Sequence, residues 1–305
     1  MASWIRASAA RDPDPLTAGS GARTGLAARR APLHVWGSAA FMLLIILAAV
    51  LAPAVSPYDP IQQSLRERLR GPAWFPEEGR KRHLLGTDHL GRDILSRIIY
   101  GSRVSLVVGF AAVLIGGTVG GTLGLISGYA GGVVDEAIML AVDAQLAFPF
   151  ILLAIGIIAV LGPSFPNLIL VVGLSGWVTY ARIVRAQVLS IKEREYITAI
   201  RGLGGSVWRI ILNHILPNTL APFLVVGTLE LARTILLEST LSFLGLGIQP
   251  PTPSWGGMLN EGRGYLDTAW WISAFPGLAL MLTALVVSRA GDWLRDVLDP
   301  TLRGT

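Results

Sequence analysis

Side chains that could do catalytic or metal chemistry are few and scattered along this sequence. The four histidines, at positions 34, 83, 89 and 214, have no spacing that would place two of them on one helix face as metal ligands. No Ser, His and Asp arrangement indicates a nucleophile. The glycines at 202, 204 and 205 run into Ser-Val-Trp, whereas a P-loop would continue with Lys and Ser or Thr. We therefore expect no catalytic, cofactor-binding or metal-binding residue in this chain.

A few polar residues lie inside apolar runs, where a charge is costly and marks either a transport path or an internal pair. Asp143 has Gln145 close by, and Glu238 follows further along the chain. We assign these three residues to a candidate translocation path, with structural pairing as the open alternative. Glu230 and Arg233 are three residues apart, so on a helix they are expected to neutralise each other.

The composition is that of a membrane protein. Of 305 residues, 52% are hydrophobic and 15% are charged, and the mean hydropathy is +0.57, which is too apolar for a soluble domain of this size. A net charge of +5 reflects Lys and Arg in cytoplasmic loops, because no basic stripe interleaved with aromatics suggests nucleic acid. Cysteine is absent, which excludes disulfides and thiolate metal sites.

Six apolar runs are long enough to cross a bilayer, which predicts an all-α integral membrane protein with six transmembrane helices. The first resembles a signal peptide but is too long for one, so we interpret it as an uncleaved span. A disordered tail at 1–34 precedes it, and a short tail at 291–305 ends the chain. The predicted spans are 35–55, 104–127, 137–162, 167–189, 218–247 and 270–288, the last five forming a core domain at 104–290.

Six spans place both termini on one side, and the arginine-bearing N-terminal tail favours the cytoplasm. The segment at about 190–217 is then cytoplasmic and the loop at 56–103 is outside. That loop carries nine Lys or Arg against six acidic residues from 57 to 103, so the inverted orientation stays open. Its part at 88–100 has apolar residues at helical spacing and predicts an amphipathic helix at the outer interface. The stretch GIQPPTPSWGGML predicts a rigid re-entrant or interfacial loop, with its Trp at the headgroup level.

Two further stretches predict how helices pack and where a partner docks. Gly116, Gly120 and Gly124 recur on one helix face, so another helix can approach closely, either within this chain or across a subunit interface. From 192 to 217 the pattern predicts two short helices around Gly204 and Gly205, the second with Ser206 as its N-cap. Such an exposed cytoplasmic hairpin needs either a membrane surface or a partner protein. The residues assigned to this docking element are Tyr196, Thr198, Ala199, Ile200, Arg201, Leu203, Gly204, Gly205, Ser206, Trp208 and Pro217.

The segment YITAIRGLGGSVWRIILNHILPN resembles the cytoplasmic EAA loop of ABC importer permeases, the element that couples to the ATPase subunit. Ala199, Gly204 and Pro217 match the family pattern. Thr198 replaces a Glu that the family usually has, Ile200 replaces an Ala, and His214 replaces an Ile. The stretches LLGTDHLGRDILSRIIYGSRVSL and ESTLSFLGLGIQPPTPSWGGML are similar to the second, C-type permease subunit of the dipeptide, oligopeptide and nickel branch.

The resemblance implies a type I ABC importer permease fold in a bacterial inner membrane. It further implies four kinds of partner: a homologous permease subunit, two ATPase subunits, an extracytoplasmic solute-binding protein and the lipid bilayer. ATP and Mg²⁺ would be bound by the ATPase subunits and no cofactor by this chain. Dipeptides are the first expected substrate, followed by oligopeptides and nickel chelates. Two alternatives from other classes are an ion-coupled secondary transporter, which would need its own ion site and related halves, and a membrane-anchored receptor or structural subunit.

Overall fold

The apolar runs form long helices in a computed structural model, which describes residues 33–75 and 83–298. In chain order the helices are α1 Leu33–Val50, α2 Ala52–Val55, α3 Ile94–Ala130, α4 Gly132–Ala147, α5 Phe150–Leu161, α6 Phe165–Lys192, α7 Glu195–Gly202, α8 Val207–Ile210, α9 Leu216–Phe243, α10 Trp255–Gly262 and α11 Trp271–Leu298. Short 3₁₀ turns lie at Leu65–Glu67 and Arg263–Tyr265, and a π-helical segment at Ile211–Ile215 joins α8 to α9. No strand occurs within these described ranges. The predicted all-α fold is confirmed.

Four helical segments are long and apolar enough to cross a membrane: α3, α6, the continuous stretch Val207–Phe243, and α11. The pair α4 and α5 is a fifth candidate that bends by 90°. Its bend lies at Phe148 and Pro149, where the residue before a proline is forced out of the helical region and Phe148 is extended, with ψ 135°. The first predicted span corresponds to α1, whose apolar part at Trp36–Val50 is shorter than the others.

Two helices extend well beyond the membrane spans predicted for them. Helix α3 begins at Ile94, ten residues before the predicted span, because Asp93 caps it by accepting a hydrogen bond from the Ser96 N–H at 2.8 Å. The predicted amphipathic helix at 88–100 therefore does not exist as a separate interfacial element. Helix α11 continues to Leu298, into the predicted C-terminal tail. The predicted tail at 1–34 lies outside the described residues except for its last two positions, which begin α1.

Helices α3 and α6 form the closest helix pair, and the glycine face lies between them. A Cβ at Gly120 would lie 2.1 Å from the carbonyl oxygen of Trp177, and one at Gly124 would lie 2.6 Å from that of Ala181. At Gly116 a Cβ would approach the α6 backbone at 3.0 Å. Small residues let two backbones approach and gain dispersion contacts that lipid would not supply. The structure thus places these three glycines against another helix of the same chain.

The segments before α3 and between α9 and α11 pack together over the start of α3, the end of α9 and the start of α11. We call this packed region the outer cap, after the orientation expected from the sequence. Trp255, which begins α10, is 2% exposed and donates its indole N–H to the carbonyl of Ile98 at 3.0 Å. The indole of Trp271 donates to the carbonyl of Thr87 at 3.1 Å. The Trp255 side chain is therefore packed inside the cap and not on its surface, and the headgroup level of this loop stays a prediction.

Candidate coupling hairpin and membrane path

The turn of the cytoplasmic hairpin is built by two glycines with different roles. Gly204 has φ +80°, the left-handed conformation that only glycine adopts without strain. Its N–H donates to the carbonyl of Arg201 at 3.1 Å, and the N–H of Gly205 donates to that of Ile200 at 2.9 Å. This pair of bonds is the Schellman arrangement that ends helices, so Gly204 ends α7. Gly205 has no positive φ, but a Cβ there would lie 2.5 Å from Cγ2 of Ile200.

The next helix begins at Ser206, whose hydroxyl oxygen accepts from the Arg209 N–H at 3.4 Å as an N-cap. The sequence predicted that this helix would end where Pro217 begins a new span. In the structure the helix is continuous from Val207 to Phe243. Pro217 lies in the first turn of α9, directly after the π-helical segment Ile211–Ile215. A proline interrupts the regular hydrogen-bond ladder, and a π segment is a common way for a helix to accommodate such an interruption.

The base of the hairpin is packed tightly onto the membrane domain. Ile197 of α7 and Ile210 of α8 are buried, and they share one apolar cluster with Val184, Val188 and Ile191 near the end of α6. A side chain buried to this extent contributes about 1.5–3 kcal/mol through the hydrophobic effect. Because α7 and α8 both contribute to this cluster, the base of the hairpin is joined to α6 by packing and to α9 by the continuous helix.

The tip of the hairpin is exposed and apolar. Leu203 is 89% exposed and Trp208 is 72% exposed. No atom lies within 4 Å of a Cβ built on Gly204. Large apolar side chains on a rigid, water-facing tip favour a docking surface. Among the docking residues predicted from the sequence, Ile200 and Gly205 are half-buried, and the exposed ones are Tyr196, Thr198, Ala199, Arg201, Leu203, Gly204, Ser206, Trp208 and Pro217.

The two departures from the family pattern have different surroundings. Thr198 is exposed, so the position usually held by Glu faces outward from this chain. His214 is half-buried, and its ring lies 6.2 Å from that of Tyr196 in an edge-to-face contact between the two arms of the hairpin. An Ile at 214 could not form that ring contact. The histidine therefore forms a contact between the two arms of the hairpin.

Of the candidate path residues, Asp143 and Gln145 lie on the bent helix pair. Asp143 is 65% exposed in its side chain and accepts a hydrogen bond from Arg182 Nη2 of α6 at 2.6 Å. The Gln145 oxygen accepts from the Trp177 indole at 2.5 Å, and its amide donates to the Leu174 carbonyl at 3.1 Å. The sequence did not reveal these partners because they come from another helix.

Glu238 occupies a different environment in the seam between α3 and α9. Its carboxyl group has no exposed surface and accepts hydrogen bonds from the hydroxyls of Ser242 at 2.7 Å, Ser105 at 3.2 Å and Ser239 at 3.2 Å. The structure therefore separates Glu238 from the exposed Asp143. A solute would reach Glu238 only after α3 and α9 move apart.

The expected pair within α9 is formed. Arg233 Nη1 donates to both carboxylate oxygens of Glu230, at 3.2 and 3.1 Å. Its two members differ in surroundings, since the side chain of Glu230 is 7% exposed and that of Arg233 is 50% exposed.

A buried ion network in the outer cap escaped the sequence reasoning. Arg92 donates to Asp88 at 2.6 Å and to Glu261 of α10 at 2.7 Å. Arg97 donates to Asp88 and, at 2.7 Å, to Glu261. Arg92 and Arg97 are each 2% exposed and Asp88 is 0% exposed. Apolar residues at helical spacing beside Arg92 and Arg97 predicted an amphipathic helix at the outer interface. The acidic partner Glu261 lies in a distant part of the sequence, so the pattern did not reveal that both arginines are buried.

The network sets the charge state of Asp88. Burial alone would raise the pKa of its carboxyl group, but the positive charges of Arg97 and Arg92, assisted by two backbone N–H groups, hold that pKa below the ordinary value. Asp88, His89 and Glu261 also lie close enough together to be considered as metal ligands. The oxygens of both carboxylates already accept from the two arginines, so this donor set is that of an ion network rather than a metal centre.

The overall fold is similar to that of a chain in a solved transporter. A chain of the inward-facing structure of the MetNI methionine ABC transporter has a TM-score of 0.55 to this chain at 18% sequence identity, covering 68% of this chain and 98% of that one. At this identity the likeness concerns the fold alone, and it defines a type I ABC importer permease fold.

Sequence comparison extends the likeness from fold to family. Residues 120–304 match the family described as "Binding-protein-dependent transport system inner membrane component", and residues 34–72 match the "N-terminal TM domain of oligopeptide transport permease C". The chain belongs to the first of these families, the inner-membrane components of binding-protein-dependent transport systems. It is a multi-pass transport subunit, not an enzyme, and its family implies an ATPase and a binding protein as partners.

Relatives with specific names match over most of the chain. The di/tripeptide transport system permease protein DppC of Pseudomonas aeruginosa is 44% identical over 88% of this chain and 88% of its own length. The glutathione transport system permease protein GsiD of Pectobacterium atrosepticum is 42% identical, covering 86% and 85%. The probable D,D-dipeptide transport system permease protein DdpC of Escherichia coli is 37% identical, covering 96% and 95%.

Proposed function

We propose that this chain imports dipeptides or other short peptides as one of two permease subunits, driven by separate ATPase subunits that dock on the hairpin at 195–217. The observation that supports this most directly is the apolar tip, with Leu203 and Trp208 exposed above a packed base. The names of the relatives support a peptide substrate. The second permease would be a homologous subunit, and the solute would be delivered by an extracytoplasmic binding protein.

Coupling in this proposal is mechanical. Closure of the ATPase pair on ATP would move the hairpin, and the buried base would carry that movement into α6 and α9. ATP and Mg²⁺ would be bound by the ATPase subunits, and this chain would bind no cofactor. Because Glu193 and Glu195 are exposed near the start of α7, an anionic leaflet would repel this side of the hairpin, whereas a protein partner can complement it.

For the translocation path we propose the exposed Asp143 and Gln145, together with Glu238, which would become accessible when the seam between α3 and α9 opens. We expect Asp143→Asn and Glu238→Gln to lower peptide uptake in the assembled complex. Uptake of every peptide at the wild-type rate in both variants would remove these residues from the path.

The function itself is tested by peptide uptake into proteoliposomes that contain the complete complex. We expect uptake to require ATP and binding protein, and to persist when ion gradients are collapsed. Uptake that follows an ion gradient without ATP would instead indicate a secondary transporter. If deletion of this chain leaves uptake intact and only mislocalises its partners, it is a structural or receptor subunit.

A further inference from the structure

Arg233 is a cation on a helix face that is otherwise free of charge. The exposed residues of α9 on this face are Leu229, Arg233, Leu236 and Thr240. Half of the Arg233 side-chain surface is exposed, while Glu230, to which it is paired, is turned into the protein. A Cβ on Gly176 of α6 would lie 3.3 Å from Glu230 Oε2, so the carboxylate is held where α6 and α9 approach each other.

The depth of Arg233 makes this exposure significant. It lies at the middle of the predicted span 218–247, and the end of α9 at Phe243 is ten residues further on, or roughly 15 Å along the helix axis. That distance is about half of a hydrocarbon core some 30 Å thick. A charged side chain facing lipid at this depth costs about 2.5–3.5 kcal/mol on insertion scales. The exposed face of Arg233 is therefore better explained by water or protein than by acyl chains.

The guanidinium group also retains hydrogen-bonding capacity. Only Nη1 donates to Glu230, at 3.1 and 3.2 Å to its two oxygens. Within the described part of the chain, the Nε–H and Nη2–H groups of Arg233 have no acceptor. A guanidinium group binds carboxylates through two parallel N–H donors. The edge formed by Nε and Nη2 suits such an acceptor.

From this geometry we propose that Arg233 lines the translocation path near the middle of the membrane and binds the carboxylate group of the passing solute. The proposal rests on the proposed import function and adds a recognition chemistry to it: solutes with a free carboxylate. Glu230 neutralises Arg233 when the path is empty, which lowers the cost of keeping a cation there. When a peptide arrives, its carboxylate binds the Nε and Nη2 edge of Arg233, while Nη1 stays paired with the buried Glu230.

The chain has no cysteine, so single cysteines report on the water accessibility of this face. Leu229→Cys and Leu236→Cys flank Arg233, and Leu44→Cys on the exposed side of α1 serves as a lipid-facing control. In the assembled complex we expect membrane-impermeant methanethiosulfonates to modify positions 229 and 236 but not 44. At position 236 we expect an anionic methanethiosulfonate to react faster than a cationic one, because Arg233 attracts it. This difference in rate should disappear when Arg233→Gln is added. If neither position 229 nor position 236 is labelled, the proposal is overturned, because lipid or a partner subunit then covers this face.

Transport supplies the second test. We expect Arg233→Lys, which keeps the cation, to retain uptake within a few-fold of wild type. We expect Arg233→Gln to lower it by at least about tenfold, the equivalent of one charge-assisted hydrogen bond. Assembly of both variants into the complex is verified by co-purification of its subunits before uptake is compared. If Arg233→Gln takes up peptide at the wild-type rate, the proposed role of Arg233 is refuted and the proposed import function is not. If the wild-type complex shows no ATP-dependent peptide uptake, the proposed function itself is refuted.

Discussion

Substitutions at Gly204 separate the geometry of the hairpin turn from its contact with a partner. Because Gly204 has φ +80°, an L-residue there costs about 1–2 kcal/mol, which shifts a local equilibrium roughly 5- to 30-fold. Space is not limiting within this chain, since nothing lies within 4 Å of the new Cβ. We expect Gly204→Ala to weaken coupling moderately and Gly204→Val to weaken it further. Gly204→Trp should abolish coupling, because its bulk would occupy the docking surface.

The assay is ATP hydrolysis and peptide uptake by the reconstituted complex, after insertion and assembly have been verified. Gly202→Ala is the matched backbone control, since Gly202 also has open space but no positive φ. It should retain coupling and gain up to about 1 kcal/mol of helix stability. Gly264→Trp adds the same bulk at an open position in the outer cap and should also retain coupling. Uptake by Gly204→Trp at the wild-type rate would refute the assignment of the hairpin as the coupling element.

Three further substitutions test the packing of the fold through the melting temperature of the purified protein. Asp88→Asn should destabilise the protein by about 3–5 kcal/mol, because it leaves two buried arginines without full charge compensation. The pKa of Asp88 is depressed in the folded state, so the stability that its carboxylate contributes is present at neutral pH and is lost as the pH falls below 3.8 through the folded pKa. Wild type and variant should therefore converge in melting temperature at that low pH. Gly120→Ala should cost about 1–3 kcal/mol by overpacking against α6, whereas Gly156→Ala, with open space, should be stabilising or neutral. Ile197→Ala should cost about 2–5 kcal/mol because it leaves a cavity in the hairpin base, whereas Leu203→Ala should leave stability unchanged and reduce only coupling. The packing described would be contradicted if Asp88→Asn melted with wild type at neutral pH, Gly120→Ala with Gly156→Ala, or Ile197→Ala with Leu203→Ala.

Much of the fold could be predicted because it depends on local patterns. Long apolar runs predicted the spans, and the spacing of Gly116, Gly120 and Gly124 predicted a close helix neighbour. The double glycine followed by Ser206 predicted the hairpin, and Gly204 has the expected positive φ. Each of these features needs only the periodicity or the backbone freedom of neighbouring residues, which are present in the sequence itself.

Features that depend on distant partners could not be predicted in the same way. The segment 88–100 was predicted to be an amphipathic interfacial helix. The burial of Arg92 and Arg97 was missed because Glu261, which neutralises them, lies in a distant part of the sequence. The partner of Asp143 is Arg182 on a separate helix. Helix α3 also extends into the predicted outer loop because the cap buries its first turns. Pairing between elements, rather than local propensity, decided each of these cases.

The central claim is that the exposed tip of the hairpin contacts the ATPase subunit. A benzophenone attached to Leu203→Cys, in a chain with no other cysteine, tests it in the assembled, transport-competent complex. We expect a photo-crosslink from position 203 to the ATPase subunit, and none to it from Leu266→Cys, an exposed control in the outer cap. A complex that transports peptide with ATP but gives no crosslink between position 203 and the ATPase subunit would contradict the account.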